Sequence, residues 1–183
     1  MGISHMDHCK AARDIMKYGI DIYCSAGTAE TAGLSGHRLH IVKAKQQFNV
    51  GPWRIMPFDT RHDVKEPLGF LIANGEDKLL FATDTFYLRY KFKCLTHIML
   101  ECNYDIETLD ENISTGYVDE RRRSRLLRSH MSLQQCKATL QANDLSRVRE
   151  IYLLHLSYKN SDAVRLKREI QQLTGKRVYI AGQ

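Results

Sequence analysis

Four short stretches of this 183-residue chain, and one at its amino end, place imidazoles and carboxylates where side chains can converge. His5-Met6-Asp7-His8 sits at the mouth of a predicted helix and offers two imidazoles and one carboxylate within one turn. His62-Asp63 follows one predicted strand, and Asp84 follows another directly. Glu101, Asn103 and Asp105 close a third strand, and His155 a fourth. Strand ends are where reactive groups collect, because loops converge there on a rigid sheet. Histidine nitrogen and carboxylate oxygen are ligands for zinc and for borderline divalent metals. At the amino end a competing reading is an Asp helix cap flanked by tag-derived histidine.

The elements that must carry these groups read as an alternation of helices and strands. Helices are predicted over 7–18, 27–34, 105–115, 120–127, 132–143 and 161–174. Strands are predicted over 20–24, 38–42, 47–50, 53–58, 68–73, 78–83, 96–101, 150–156 and 177–180. Asn74-Gly75-Glu76-Asp77 is a hairpin signal. Ser132, with Gln135 three residues on, has a capping-box pattern. Gly175 stops the last helix. The pattern is α/β or α+β with a β-meander in its middle.

Composition bounds the rest. Lys and Arg total 27 against 21 for Asp and Glu, a net charge of +6 that suits an anionic partner without requiring one. No apolar run approaches the ~18 residues of a membrane helix. The five cysteines include no Cys-x-x-Cys pair, so they read as packing residues of a cytoplasmic protein. Residues 1–6 read as a tag-derived or disordered start, and 7–183 as a single domain.

Residues 121–128 hold five arginines: Arg121, Arg122, Arg123, Arg125 and Arg128. A charge run is commonly a solvated helix face. Fork donors of this kind also match phosphate oxygens, and counterion release adds affinity for a nucleic-acid backbone. Tyr87, Tyr90 and Tyr104, set among Arg89, Lys91 and Lys93, are candidates for stacking bases, with an aromatic hairpin packed on the core as the alternative.

Taken in order, His5-x-Asp7-His8, His62-Asp63, Thr83-Asp84-Thr85, Glu101-x-Asn103-x-Asp105, Ser129-His130-Met131-Ser132 and His155-Leu156-Ser157 resemble the metallo-β-lactamase fold. Within that fold they are most similar to small bacterial and phage hydrolases related to DNA exonucleases. The resemblance implies an αββα four-layer sandwich. It also implies two divalent metal ions, zinc by default, with manganese or iron as alternatives. His5, His62 and a bridging Asp84 would hold one metal, and Asp7, His8, His155 and Asp84 the other. A metal-bound hydroxide would be the nucleophile. Asp7 and His130 would serve catalysis, His130 by bonding a phosphate oxygen or protonating a leaving oxygen, and a helix-cap role is its competing reading. Arg121, Arg122, Arg125 and Arg128, with Ser157 and Asn160 after the last ligand, would bind substrate. Asp63 and Glu101 read as groups that orient ligand histidines rather than as ligands.

Two departures stand out. The family's first histidine falls on Ile3, and the strands that precede its His-x-His motif are missing, which implies truncation at the amino end. Exposed sheet edges would then invite self-association. Three functions follow: a metal-dependent phosphodiesterase or nuclease, a hydrolase of a small ester, lactone or lactam, and a non-catalytic remnant of the fold.

Overall fold

The computed structural model describes residues 9–182, with the Arg122 side chain excepted. His5, Asp7 and His8 therefore lie outside the described residues. Helix α1 (Ala12–Lys17) opens later than its pattern predicts and ends before Gly19, which takes a left-handed φ of 85°. Strand β1 (Ile22–Cys24), helix α2 (Ala26–Ala32) and strand β2 (Leu39–Ile41) follow. β1 and β2 pair in parallel as a small sheet of their own.

Seven strands form the second sheet, in sequence order: β3 (Phe48–Val50), β4 (Trp53–Asp59), β5 (Leu68–Asn74), β6 (Asp77–Ala82), β7 (His97–Glu101), β8 (Glu150–Leu154) and β9 (Arg177–Ile180). β3 to β6 are the predicted antiparallel meander, and β6 to β9 run parallel. Gly75 sits in the β5–β6 hairpin turn with φ of 56°, a conformation glycine adopts at no steric cost.

Alternation along the strands builds the core. Leu80, Ala82, Ile98, Leu100, Ile151, Leu153 and Val178 share one face and are all buried. Buried residues of α5 (Leu133–Gln141) and α6 (Ala163–Thr174) join the same cluster, namely Leu133, Cys136, Leu140, Leu166 and Ile170. The opposite face carries Phe48 at the β3 edge, where Tyr23 of β1 stacks on it at 5.1 Å between ring centres. With α1 against β1, the layers run helix, two-stranded sheet, seven-stranded sheet, helix. This is the αββα order that the sequence implied. A smaller apolar cluster around Tyr104, Leu109 and Val118 seats α3 (Ile106–Ser114) and α4 (Glu120–Ser129).

Several expectations change here. Tyr104 is buried, and Tyr90 packs edge-on to Phe58 at 5.8 Å, so neither can stack a base. Tyr87 is exposed. Cys94 is exposed as well, while Cys9, Cys24, Cys102 and Cys136 are buried packing residues. No helix among the described residues is long and apolar enough to cross a membrane.

Candidate metal centre

The site follows from strand direction. β6, β7 and β8 are neighbours and parallel, so the residues that leave their carboxyl ends emerge side by side. Ala82 pairs with Leu100, and Glu101 with Leu154. Asp84, Glu101 and His155 stand at those three ends. β4 is two antiparallel steps from β6, so it points the same way and delivers the 60–67 loop, with His62, to the same edge.

Asp84, Glu101, His130 and His155 each offer a ligand atom, all within 4.8 Å of one another. The Asp84 and Glu101 side chains are fully buried. His155 Nδ1 lies 2.9 Å from Asp84 Oδ1 and 3.2 Å from Glu101 Oε1. His130 Nδ1 donates to Glu101 Oε1 at 2.7 Å, and Glu101 Oε2 accepts the Thr85 N–H at 2.6 Å. The rings of His130 and His155 are 5.0 Å apart, and those of His62 and His130 are 5.4 Å apart. His130 and His155 thus converge on the two carboxylates, and the His62 ring lies beside that of His130.

His62 is fixed in the tautomer a metal ligand needs. Its Nδ1 lies 2.8 Å from the Ser129 carbonyl, which can only accept, so Nδ1 carries the proton and Nε2 the lone pair. The His62 side chain is fully buried, and its Nε2 has no hydrogen-bond partner. Burial lowers its pKa and keeps the ring neutral, only partly offset by the bond to Ser129. Asp63 does not orient it as expected: it stays half-exposed, 3.5 Å from His62 Nε2 and 3.5 Å from Arg125 Nε. Glu101 does orient an imidazole, that of His130.

His155 carries the opposite shift. Hydrogen bonds to Asp84 first, then Glu101, push its pKa up to about 10. In the metal-free arrangement its proton neutralises charge between two buried carboxylates. A buried pair of carboxylates needs a compensating cation, and a divalent ion meets that need with the same donor set. The residues present therefore fit a metal: carboxylate oxygens from Asp84 and Glu101, imidazole nitrogens from His155 and His130, and beside them His62 Nε2, which makes no hydrogen bond.

The backbone around the site is held in costly conformations. Asp84 has φ of 50° and His155 φ of 58°, left-handed values that are rare outside glycine. Each costs about 1–3 kcal/mol and persists only where its surroundings enforce it. The enforcing contacts explain motifs that looked weak in the sequence. Asn103 Nδ2 donates to the His155 carbonyl at 2.6 Å, and the Asn103 carbonyl accepts the Ser157 N–H at 2.7 Å. The Asn103 N–H donates to the Met131 carbonyl at 2.8 Å, and the Leu133 N–H to the Tyr104 carbonyl at 2.8 Å. Asp105 is buried and pairs with Arg165 Nη1 at 2.9 Å. Ser132 caps α5 by accepting the Gln135 N–H at 3.2 Å.

The His62 loop is tied on both sides. The Arg61 N–H donates to Thr85 Oγ1 at 3.0 Å, and the Phe86 N–H to the Arg61 carbonyl at 3.1 Å. Farther along, Glu66 Oε2 accepts the Gly27 N–H in the first turn of α2 at 2.7 Å. A β-carbon on Gly27 would lie 2.8 Å from the Lys65 carbonyl oxygen, so only glycine allows this approach.

Beside the centre lies a cavity of about 480 Å³, lined by His130, Arg125, Ser157, Lys159 and Asn160 among others. Arg125, Ser157 and Asn160 thus share that cavity with His130. Arg121 and Arg128 are exposed and do not line the cavity, and Arg128 Nε bonds the Ser124 carbonyl of its own helix at 3.0 Å. Arg123 pairs with Asp110 at 2.9 Å. Two roles are not legible in the sequence. Ser129 belongs to the Ser129–Ser132 motif but acts through its carbonyl, which no side-chain pattern reveals, and Lys159 lies between Ser157 and Asn160 with no signal of its own.

A mixed sheet with histidines and buried acids gathered at its parallel strand ends defines a metallo-β-lactamase-type centre. The chain belongs to the β-lactamase superfamily domain family, whose model matches residues 4–156. Solved structures agree on the fold. The metallo-beta-lactamase fold protein YhfI from Bacillus subtilis superposes with a TM-score of 0.70 at 17% identity, over 98% of this chain and 72% of that one. Igni18, a metallo hydrolase from the archaeon Ignicoccus hospitalis, gives 0.67 at 13% identity, over 98% and 73%. Zn²⁺-bound PqqB from Methylobacterium extorquens gives 0.61 at 10% identity, over 87% and 61%. No curated protein matches the chain in sequence.

Proposed function

We propose that this protein is a metal-dependent phosphodiesterase that cleaves nucleotide or nucleic-acid diesters. The observation that carries the reading is the cavity beside the metal cluster, which brings the cationic side chains of Arg125 and Lys159 next to His130. Cations beside a metal centre suit a substrate that stays anionic through the reaction. Val118, Leu126 and Tyr158 supply the apolar side of the wall, where the apolar part of a nucleotide can lie.

Asp84, His155 and His62 would hold the metal, joined by His5, Asp7 and His8 if those residues fold toward the same edge. Two divalent ions, zinc first and manganese or iron next, suit this donor set. A bound metal supplies Lewis-acid polarisation of the phosphoryl oxygen and a nucleophile from water near neutral pH. His130 is held at Nδ1 by Glu101 and borders the cavity, so its other nitrogen is placed to give a proton to the departing oxygen. Arg125, Ser157 and Asn160 would position the diester, and the exposed Arg121 and Arg128 would meet a longer backbone by charge alone. Asp7 would orient the attacking water.

The test pairs metal analysis with turnover. Metal-loaded protein should hydrolyse bis-p-nitrophenyl phosphate and leave p-nitrophenyl acetate and a chromogenic lactam largely untouched. Asp84→Asn should lose both metal and turnover. Preferential cleavage of the acetate or the lactam would overturn the phosphodiesterase reading.

A further inference from the structure

We infer, building on the phosphodiesterase reading, that the cavity beside His130 binds a second phosphate of the substrate, so that a phosphate-terminated nucleotide chain is preferred over one ending in a hydroxyl. The scissile phosphate belongs at the metal cluster, where the bound cations neutralise it. Arg125 and Lys159 lie outside that cluster but line the neighbouring cavity. Among the described residues no carboxylate lines the cavity with them. The one acid paired with either cation among those residues is half-exposed Asp63, 3.5 Å from Arg125, which leaves the two charges open to a separate anion.

Lys159 is held in place. Lys159 Nζ sits over the Tyr117 ring, 4.6 Å from its centre, and Asn112 Nδ2 donates to the Lys159 carbonyl at 2.8 Å. This cation–π contact holds the ammonium without neutralising it. Arg125 comes from a different element, α4, and its contact to Asp63 is a long one of 3.5 Å between half-exposed groups. A phosphate can displace so weak a pair. The volume of about 480 Å³ suits one nucleotide and is too small for a duplex. Tyr158, which lines this pocket and is 97% exposed, presents an open ring against which a base can stack.

The experiment compares the thymidine dinucleotide with and without a 5′-phosphate as substrates of the metal-loaded protein. Thymidine 5′-phosphate and thymidine serve as calorimetric ligands that need no turnover. The 5′-phosphorylated dinucleotide should have a kcat/KM about tenfold higher, mainly through KM, as expected for one charge-assisted contact. That ratio should fall toward one in Arg125→Ala/Lys159→Ala. Lys159→Ala alone should weaken thymidine 5′-phosphate binding about tenfold, and raised salt should weaken the wild type similarly. Equal turnover of the two dinucleotides, with equal binding of the nucleotide and the nucleoside, would overturn the second-phosphate pocket and leave the phosphodiesterase reading standing. Absence of any diester cleavage, with Lys159-dependent nucleotide binding intact, would overturn the activity and keep the pocket.

Discussion

Arg165→Met removes the one ion-pair cation, among the described residues, of a buried acid that underpins the site from a distance. The Asp105 side chain is wholly buried, and its backbone N–H donates to the Asn160 carbonyl at 3.0 Å, which ties the cavity loop to α3. Arg165 contacts three carboxylates, but they do not contribute equally. Glu107 is 73% exposed, so its pair at 2.7 Å is screened and contributes at most ~1 kcal/mol. Glu169 keeps Lys137 as a second partner. Asp105 keeps only Thr108 Oγ1 at 3.2 Å and Gln134 Nε2 at 3.4 Å. Breaking a buried pair by removing one partner costs about 3–5 kcal/mol. For a chain of this size that lowers Tm by roughly 6–20 °C. Scanning calorimetry at pH 7 measures the loss. Adding Asp105→Asn to Arg165→Met should recover part of it, since the amide carries no charge. A loss under about 1 kcal/mol, or a double variant no more stable than Arg165→Met, would refute the reasoning.

Three further outcomes follow from the same contacts. Gly27→Ala would push a β-carbon to 2.7 Å from Lys65 Cβ and against its backbone, at a cost of about 1–3 kcal/mol, and would weaken metal binding through the displaced His62 loop; thermal unfolding and a zinc titration read the two effects, and an unchanged Tm would contradict them. His155, raised to about 10 from an ordinary 6.5, contributes stability to the metal-free protein that is fully present below pH 6.5 and fades as pH rises through 10; metal uptake at pH 8 should therefore release a proton from this ring, seen by calorimetry in two buffers of different ionisation heat, and uptake without proton release would contradict it. Glu101→Gln should reduce kcat more than it raises KM, because it loosens His130 without touching the Arg125–Lys159 pocket; a change confined to KM would argue against that role.

The strand-end logic carried much of the site. Asp84 and His155 follow apolar strands directly, so their place at one sheet edge was legible once β6, β7 and β8 were read as strands. The αββα layering was legible for the same reason, through alternation in the strands and stripes in the helices. What the chain did not reveal is contact between loops. Glu101 looked like a support for one histidine, yet it touches both His130 and His155, because β7 lies between the strands that deliver their neighbours. The hold of Ser129 on His62 passes through a main-chain oxygen. Asn103 and Asp105 seemed marginal because their partners, the His155 carbonyl and Arg165, are distant in sequence. The arginine run was over-read: a helix turns its residues to different sides, so Arg125 reaches the cavity while Arg121 and Arg128 face solvent. Of the candidate stacking tyrosines, Tyr104 is buried in apolar packing and Tyr90 is half-buried against Phe58, while Tyr87 stays exposed.

Anomalous diffraction from crystals of the zinc-loaded protein, collected on both sides of the metal edge, bears most directly on the centre. The structure predicts a metal peak within about 2.0–2.2 Å of a carboxylate oxygen of Asp84 and of an imidazole nitrogen of His155, with His62 facing the same position. A peak bound elsewhere, or fully occupied metal that leaves Asp84 and His155 still bonded to each other, would contradict it.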